Sequence, residues 1–188
     1  MKDAYKLLLK EVLIDEVALQ ERVQELGAQI TEDYADDDNL ILVCILKGGV
    51  MFLTDLARHI HVAHEMDFMA VSSYGKGKRE SGGMVRFEMD LSLGVAGKRV
   101  LIVEDIIDSG YTLSKVVEVL QTRNPQDVRI CTLLDKHARR KVEMKVDYVG
   151  FAIEDKFVFG YGLDLDEKFR NLPFIGVVDL DKLPHEPE

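Results

Sequence analysis

Residues 104–112 read EDIIDSGYT, and they carry the densest chemistry in the chain. Glu104, Asp105 and Asp108 place three carboxylates directly before a small turn, Ser109-Gly110. Apolar residues 100–103 precede them, as a buried strand requires, and residues 113–120 repeat apolar positions at helical spacing. A small-residue turn between a buried strand and a helix suits an anion. Its backbone N–H groups point free, the helix dipole adds partial positive charge, and Gly110 lets a phosphate approach the backbone. Ser109 and Thr112 add hydroxyl donors. The acids need not touch that phosphate, because carboxylates suit sugar hydroxyls and Mg²⁺. A sugar phosphate, its phosphate on the turn and its hydroxyls on the acids, satisfies both halves. The plainer alternatives are a capped helix without ligand and a pair of solvated acids at a strand end.

The elements that must position this turn are legible from periodicity. Residues 16–34 keep apolar positions at helical spacing with Asp15 as N-cap. LILVCIL (40–46) is a continuous apolar run of strand length, ended by Lys47-Gly48-Gly49, and a helix follows over about 50–60. Strands are expected at 66–73, 84–91, 100–103 and 128–134, with shorter ones at 147–152 and 174–178. YGKGKRESGG (74–83) has no apolar anchor and reads as a mobile loop or long hairpin connection. The last residues, LPHEPE, read as frayed. Buried strands alternating with helices give an α/β fold with a mostly parallel sheet. Ligands of such sheets bind at the carboxyl ends of the strands, here Lys47-Gly48, Glu104 to Thr112, and Asp135-Lys136.

The 188 residues are expected to form one domain. A net charge of −10 argues against binding DNA, RNA or an anionic membrane surface without specificity. No segment reads as a signal peptide or a membrane span. Cys44 and Cys131 each sit in an apolar run and read as buried thiols of a reducing cytoplasm. There is no Walker A loop, and no GxGxxG leads from a strand into a helix.

VLIVEDIIDSGYTL (100–113) resembles the phosphoribosyl-diphosphate motif of type I phosphoribosyltransferases: an apolar strand, two acids, apolar residues, then Asp-[Ser/Thr]-Gly-x-Thr. ILKGG (45–49), DFMAVSSYG (67–75), LLDKHARR (133–140) and residues 146–178 resemble the hypoxanthine-guanine branch. The resemblance covers most of residues 40–178. It implies a Mg²⁺-dependent purine salvage enzyme that joins hypoxanthine or guanine to 5-phosphoribosyl 1-diphosphate (PRPP), giving IMP or GMP and pyrophosphate. It also implies a core over about 35–150, with a small hood from about 1–20 and 150–188, and a homodimer or homotetramer.

The resemblance assigns roles residue by residue. Asp108, Ser109, Gly110, Tyr111 and Thr112 would hold the 5-phosphate, with Asp108 also the catalytic base for purine N7. Glu104 and Asp105 would bind ribose hydroxyls, directly or through Mg²⁺. Lys47 and Gly48 match the pyrophosphate loop, whose Leu46–Lys47 bond can be cis, and Arg170 would bind pyrophosphate. Lys136 would donate to the purine 6-oxo group, Phe157 would stack on the ring, and Val158 would offer it backbone groups. Asp164 would lie by the base and bind a second Mg²⁺. Ser73 and Tyr74 match a lid. Which of Arg139 and Arg140 serves the site is left open. Two other readings are a regulator that uses this fold to bind RNA and a receiver-like phosphoacceptor. The acidic charge weighs against the first. The Ser-Gly-x-Thr turn and the later base-binding segment weigh against the second.

Overall fold

Continuous apolar runs make strands that must be covered on both faces, and that requirement builds the molecule. The computed structural model describes residues 4–36, 38–73 and 85–183. Its elements are β1 (Leu9–Ile14), α1 (Glu16–Asp33), β2 (Leu40–Leu46), α2 (Val50–Arg58), β3 (His64–Ser73), β4 (Val85–Met89), β5 (Arg99–Ile107), α3 (Tyr111–Gln121), β6 (Asp127–Asp135), β7 (Tyr148–Ala152), β8 (Val158–Phe159) and β9 (Ile175–Val178). The larger sheet runs β4-β3-β2-β5-β6-β7. Its core strands β3, β2, β5, β6 and β7 are parallel, and β4 lies antiparallel on β3 at the edge. The α/β, mostly parallel architecture expected from the sequence is therefore the observed one.

Helices cover both faces. Leu19, Val23, Leu26 and Ile30 of α1 and Phe52, Leu53 and Leu56 of α2 pack with Leu42, Cys44, Leu101 and Val103. Leu113, Val116 and Leu120 of α3 pack on the other side with Ile41, Val43, Val100 and Ile102. The odd and even positions of β2 and β5 thus serve opposite layers, as strand alternation requires. Asp15 caps α1 by accepting from the Ala18 N–H at 2.9 Å. Arg22 ties α1 to β7, donating to the carbonyls of Gly150 at 3.0 Å and Val149 at 2.8 Å. Both cysteines are buried free thiols. Burial, with Glu104 and Asp105 nearby, pushes the Cys44 thiol up to about 12.

A second, three-stranded sheet has the order β1-β9-β8, with antiparallel pairs. It joins the first and last strands of the described residues. Periodicity missed β1 because LKEVLI is mostly half-buried or exposed, and missed β8 because it is two residues long. The most consequential correction concerns β5. It does not stop at Val103 but runs through Ile107, so the acids lie inside the strand. Polar residues are tolerated there because they face the cleft at the strand's carboxyl end. The segments given as mobile loop (74–83) and frayed tail lie outside the described residues, apart from Leu183.

Candidate active site

The strand ends converge on a cleft of about 330 Å³, lined by residues of the 45–48, 104–113 and 164–170 segments. A second cleft, lined by Asp108, Lys136, Arg139, Asp155, Phe157 and Leu180, shares Asp108 with it. The turn residues of the motif thus stand between two hollows.

Gly110 opens α3 in the left-handed region, with φ 85°. No side chain caps this helix. Its first-turn amides, which have no partner within a helix, are available to an anion. The turn is held from below. The Ser109 carbonyl accepts from the N–H of Lys141 at 2.9 Å and of Val142 at 3.2 Å. A side chain at Gly110 would also crowd Arg140 Cδ. Ser109 and Thr112 line the cleft, whereas Tyr111 is largely exposed.

Glu104 and Asp105 leave consecutive positions of β5, yet both line the cleft, which straddles the strand end. Asp105 fits because residue 48 is glycine: a Cβ there would overlap the Asp105 carboxylate. Glu104 Oε2 is sealed from solvent without a hydrogen-bond partner. Desolvation, then the neighbouring Asp105 carboxylate, pushes the Glu104 carboxyl well up. Desolvation also raises Asp105, against opposition from the Ile106 N–H and from Arg170. Two crowded, desolvated carboxyls, with Arg170 acting on Asp105 alone, give this floor its electrostatic character.

The Leu46–Lys47 peptide bond is cis. Lys47 Nζ donates to Glu167 at 2.8 Å. Arg170 donates to the Gly162 carbonyl at 2.8 Å and pairs with Asp164 at 2.9 Å and Glu167 at 3.4 Å. Gly162, at φ 99°, lies so close to the Gly48 carbonyl that a Cβ would overlap it. The 160–163 turn of the small sheet therefore seats directly on the Lys47-Gly48 loop.

In the second cleft Lys136 is buried, with its Nζ 3.5 Å from Asp155. Phe157 is 47% exposed and lines this cleft. Val158 is buried beside it in β8. Arg139 Nε donates to Asp108 at 2.9 Å, and its Nη1 donates to Asp155 at 3.1 Å. Arg139, then Lys136, holds the Asp155 carboxyl below its usual range. A chain of ion pairs thus connects Lys136 to Asp108. Arg140 instead lies beneath the turn, 2.5 Å from Asp135. The two arginines left open by the sequence have different surroundings: Arg139 faces the cleft, and Arg140 is buried support. Asp155 and Leu180 were not singled out from the sequence. Only their spatial neighbours mark them.

Ser73 ends β3, with its backbone paired to Val85. Tyr74 lies outside the described residues, as does the rest of the expected lid up to residue 83.

The comparison with known families decides the class. A model of the phosphoribosyl transferase domain matches residues 14–168. The chain belongs to that family. Within it, the chain is 51% identical over 171 residues to the hypoxanthine phosphoribosyltransferase of Escherichia coli K12, covering 90% of this chain and 96% of that protein. It is 49% identical over 170 residues to the hypoxanthine-guanine phosphoribosyltransferase of Bacillus subtilis strain 168, covering 90% and 93%. Among solved phosphoribosyltransferase structures, a hypoxanthine phosphoribosyltransferase from Staphylococcus aureus superposes with a TM-score of 0.93 at 45% identity, covering 98% of this chain and all of that one.

Proposed function

We infer that this chain transfers a 5-phosphoribosyl group from PRPP to hypoxanthine or guanine, giving IMP or GMP and pyrophosphate. The observation that carries this reading is the position of Asp108, which edges both the anion cleft and the Lys136–Phe157 cleft. A sugar phosphate in the first hollow and a purine in the second meet at that carboxylate.

The turn from Asp108 to Thr112 binds the 5-phosphate through backbone N–H groups and hydroxyls. Glu104 and Asp105 take the ribose hydroxyls. As the bond to pyrophosphate breaks, positive charge grows on the ribose ring, and the two carboxylates lie close enough to stabilise it. Lys47 and Arg170 take the charge of the departing pyrophosphate. Phe157 stacks on the purine ring, with the backbone of Val158 beside it. Lys136 donates to the 6-oxo group, and Asp108 accepts the proton from N7 as N9 attacks.

The donor set fits Mg²⁺ as a guest that arrives with a ligand. Among the described residues no three metal-ligating side chains converge. Mg²⁺ commonly takes one or two carboxylates and completes its shell with phosphate oxygens and water. The solvent-sealed, unpartnered Glu104 Oε2 beside Asp105 suits that demand. Glu104 and Asp105 would hold one ion and Asp164 a second. When bound, the metal supplies charge neutralisation to the diphosphate.

We propose further that residues 1–188 act as one domain, in which the sheet of β1, β9 and β8 is a hood over the purine. The protein works in the cytoplasm as a homodimer or homotetramer, with neither nucleic acid nor membrane as partner. No helix of the described residues is long and apolar enough to cross a membrane.

The test is pyrophosphate release from PRPP with hypoxanthine, guanine, xanthine and adenine in turn. Lys136 is a donor suited to a 6-oxo acceptor and wrong for a 6-amino group. Turnover with hypoxanthine or guanine is expected at least about 100-fold above adenine, the scale on which an unmatched buried polar group discriminates. Comparable turnover of adenine would refute the role of Lys136.

A further inference from the structure

The two cations read above as pyrophosphate ligands are not idle in this structure. Lys47 comes from the loop after β2 and Arg170 from the turn before β9, and one side chain reaches both. Glu167 Oε2 lies 2.8 Å from Lys47 Nζ and 3.4 Å from Arg170 Nη2. It is a single oxygen held between two cations, as a phosphate oxygen would be. Lys47 is the nearer of its two partners and Arg170 the second. The backbone delivers it there. Glu167 sits at φ 59°, between Asp166 at φ 54° and Lys168, in a turn that also bends at Phe169 with φ 69°. Its N–H donates to Asp164 Oδ2 at 2.9 Å, which fixes the turn without using the carboxylate.

We propose that Glu167 is a built-in substitute for pyrophosphate, which occupies the Lys47–Arg170 pair when the site is empty and must be displaced for a diphosphate to bind. The inference rests on the reading of Lys47 and Arg170 as pyrophosphate ligands and assigns to Glu167 a competing role there. The physical argument is one of partners. A bidentate anion gains by replacing water on exposed cations, and gains less when it must first evict a carboxylate. Glu167 is about two-thirds exposed, so its eviction is a rotamer change into solvent and needs no unfolding. The same swap runs in reverse when pyrophosphate leaves. A carboxylate ready to reclaim both cations lowers the affinity for that product.

Asp166 provides the control. It is the adjacent residue of the same turn, equally acidic, but its carboxylate pairs with Lys168 at 2.9 Å rather than with the cleft cations. Glu167→Gln and Asp166→Asn each remove one negative charge from the same place. Inorganic pyrophosphate with Mg²⁺ is titrated calorimetrically into wild type and both variants. GMP, bound through its 5-phosphate and base, is the second probe. Glu167→Gln is expected to bind pyrophosphate about two- to fivefold more tightly, the scale of one exposed ion pair released. Its GMP affinity stays within error, and Asp166→Asn stays near wild type for both ligands. Equal tightening in both variants would reduce Glu167 to a background charge and overturn the proposal, as would unchanged or weaker pyrophosphate binding by Glu167→Gln. If Lys47→Ala and Arg170→Ala leave pyrophosphate affinity at the wild-type value, the pyrophosphate assignment itself fails. That outcome is distinct from a tight wild-type site which Glu167→Gln leaves unaltered.

Discussion

At the scale of single residues, the cleft cations are already paired with carboxylates. Asp108 lines both clefts. Asp108→Asn keeps size and hydrogen bonding but cannot take a proton. It is expected to lower kcat about 10²–10⁴-fold, with PRPP affinity within a few-fold of wild type if, as proposed, the turn amides make the phosphate site. Steady-state kinetics with a direct PRPP titration check this, and a collapse of PRPP affinity with unchanged kcat would make Asp108 a binding residue. Glu104 yields a different expectation. Its carboxyl is raised by burial and by Asp105. A folded-state value above the unfolded one means stability present at acid pH and lost as pH rises through the folded value. Glu104→Gln removes that loss. Without ligand, its melting temperature is expected to exceed that of wild type by roughly 2–4 °C near pH 8, with the gap closing toward pH 5, while PRPP binding weakens. Thermal melts across that range, with parallel pH trends in both proteins, would refute it. The motif acids and the turn were legible from the sequence because they are contiguous. Asp155 was not, nor was the choice between Arg139 and Arg140, because the ion pairs that join residues 108, 139 and 155 leave no periodic trace.

At the scale of elements, long buried strands and amphipathic helices were readable, while short strands and polar strand ends were not. LILVCIL announces β2 by itself. Apolar continuity ends β5 at Val103, whereas the strand runs on through the cleft-lining acids Glu104 and Asp105 to Ile107. β3 has a device that no pattern reveals. Asp67, on β3, is nearly buried and gathers the N–H groups of Leu93 at 2.7 Å, Ser92 at 2.8 Å and Phe68 at 2.8 Å, with Ser92 Oγ at 3.1 Å. Desolvation alone would raise its carboxyl, but these bonds outweigh it and leave the group below its usual range. A depressed carboxyl lends stability that is complete near neutrality and is lost as pH falls through the folded value. Asp67→Ala strands several donors and is expected to cost about 2–3 kcal/mol at pH 7. Urea denaturation at pH 7 and pH 3 checks it: the deficit relative to wild type should shrink at the lower pH. A deficit that is constant with pH would mean that the lost carboxylate was not the cause.

At the scale of the whole molecule, a chain of net charge −10 still presents positive side chains at its clefts. Lys47, Lys136, Arg139 and Arg170 each face a cleft and are each matched by a carboxylate there. The parallel sheet fixes where those ends lie, which is why fold class and cleft position could both be read from residues 40–135. The small sheet could not be read so, since it joins segments more than a hundred residues apart. That sheet has a consequence for how the protein folds. β9 lies between β1 and β8, so within this sheet neither of those strands has a partner until β9 is in place. The parallel core can assemble while β1 has no neighbour and Phe157, whose carbonyl accepts from the Val178 N–H at 2.8 Å, lacks its backing strand. Long-range pairings of this kind form late. The cleft beside Phe157 is therefore expected to be the last part of the molecule to acquire its shape.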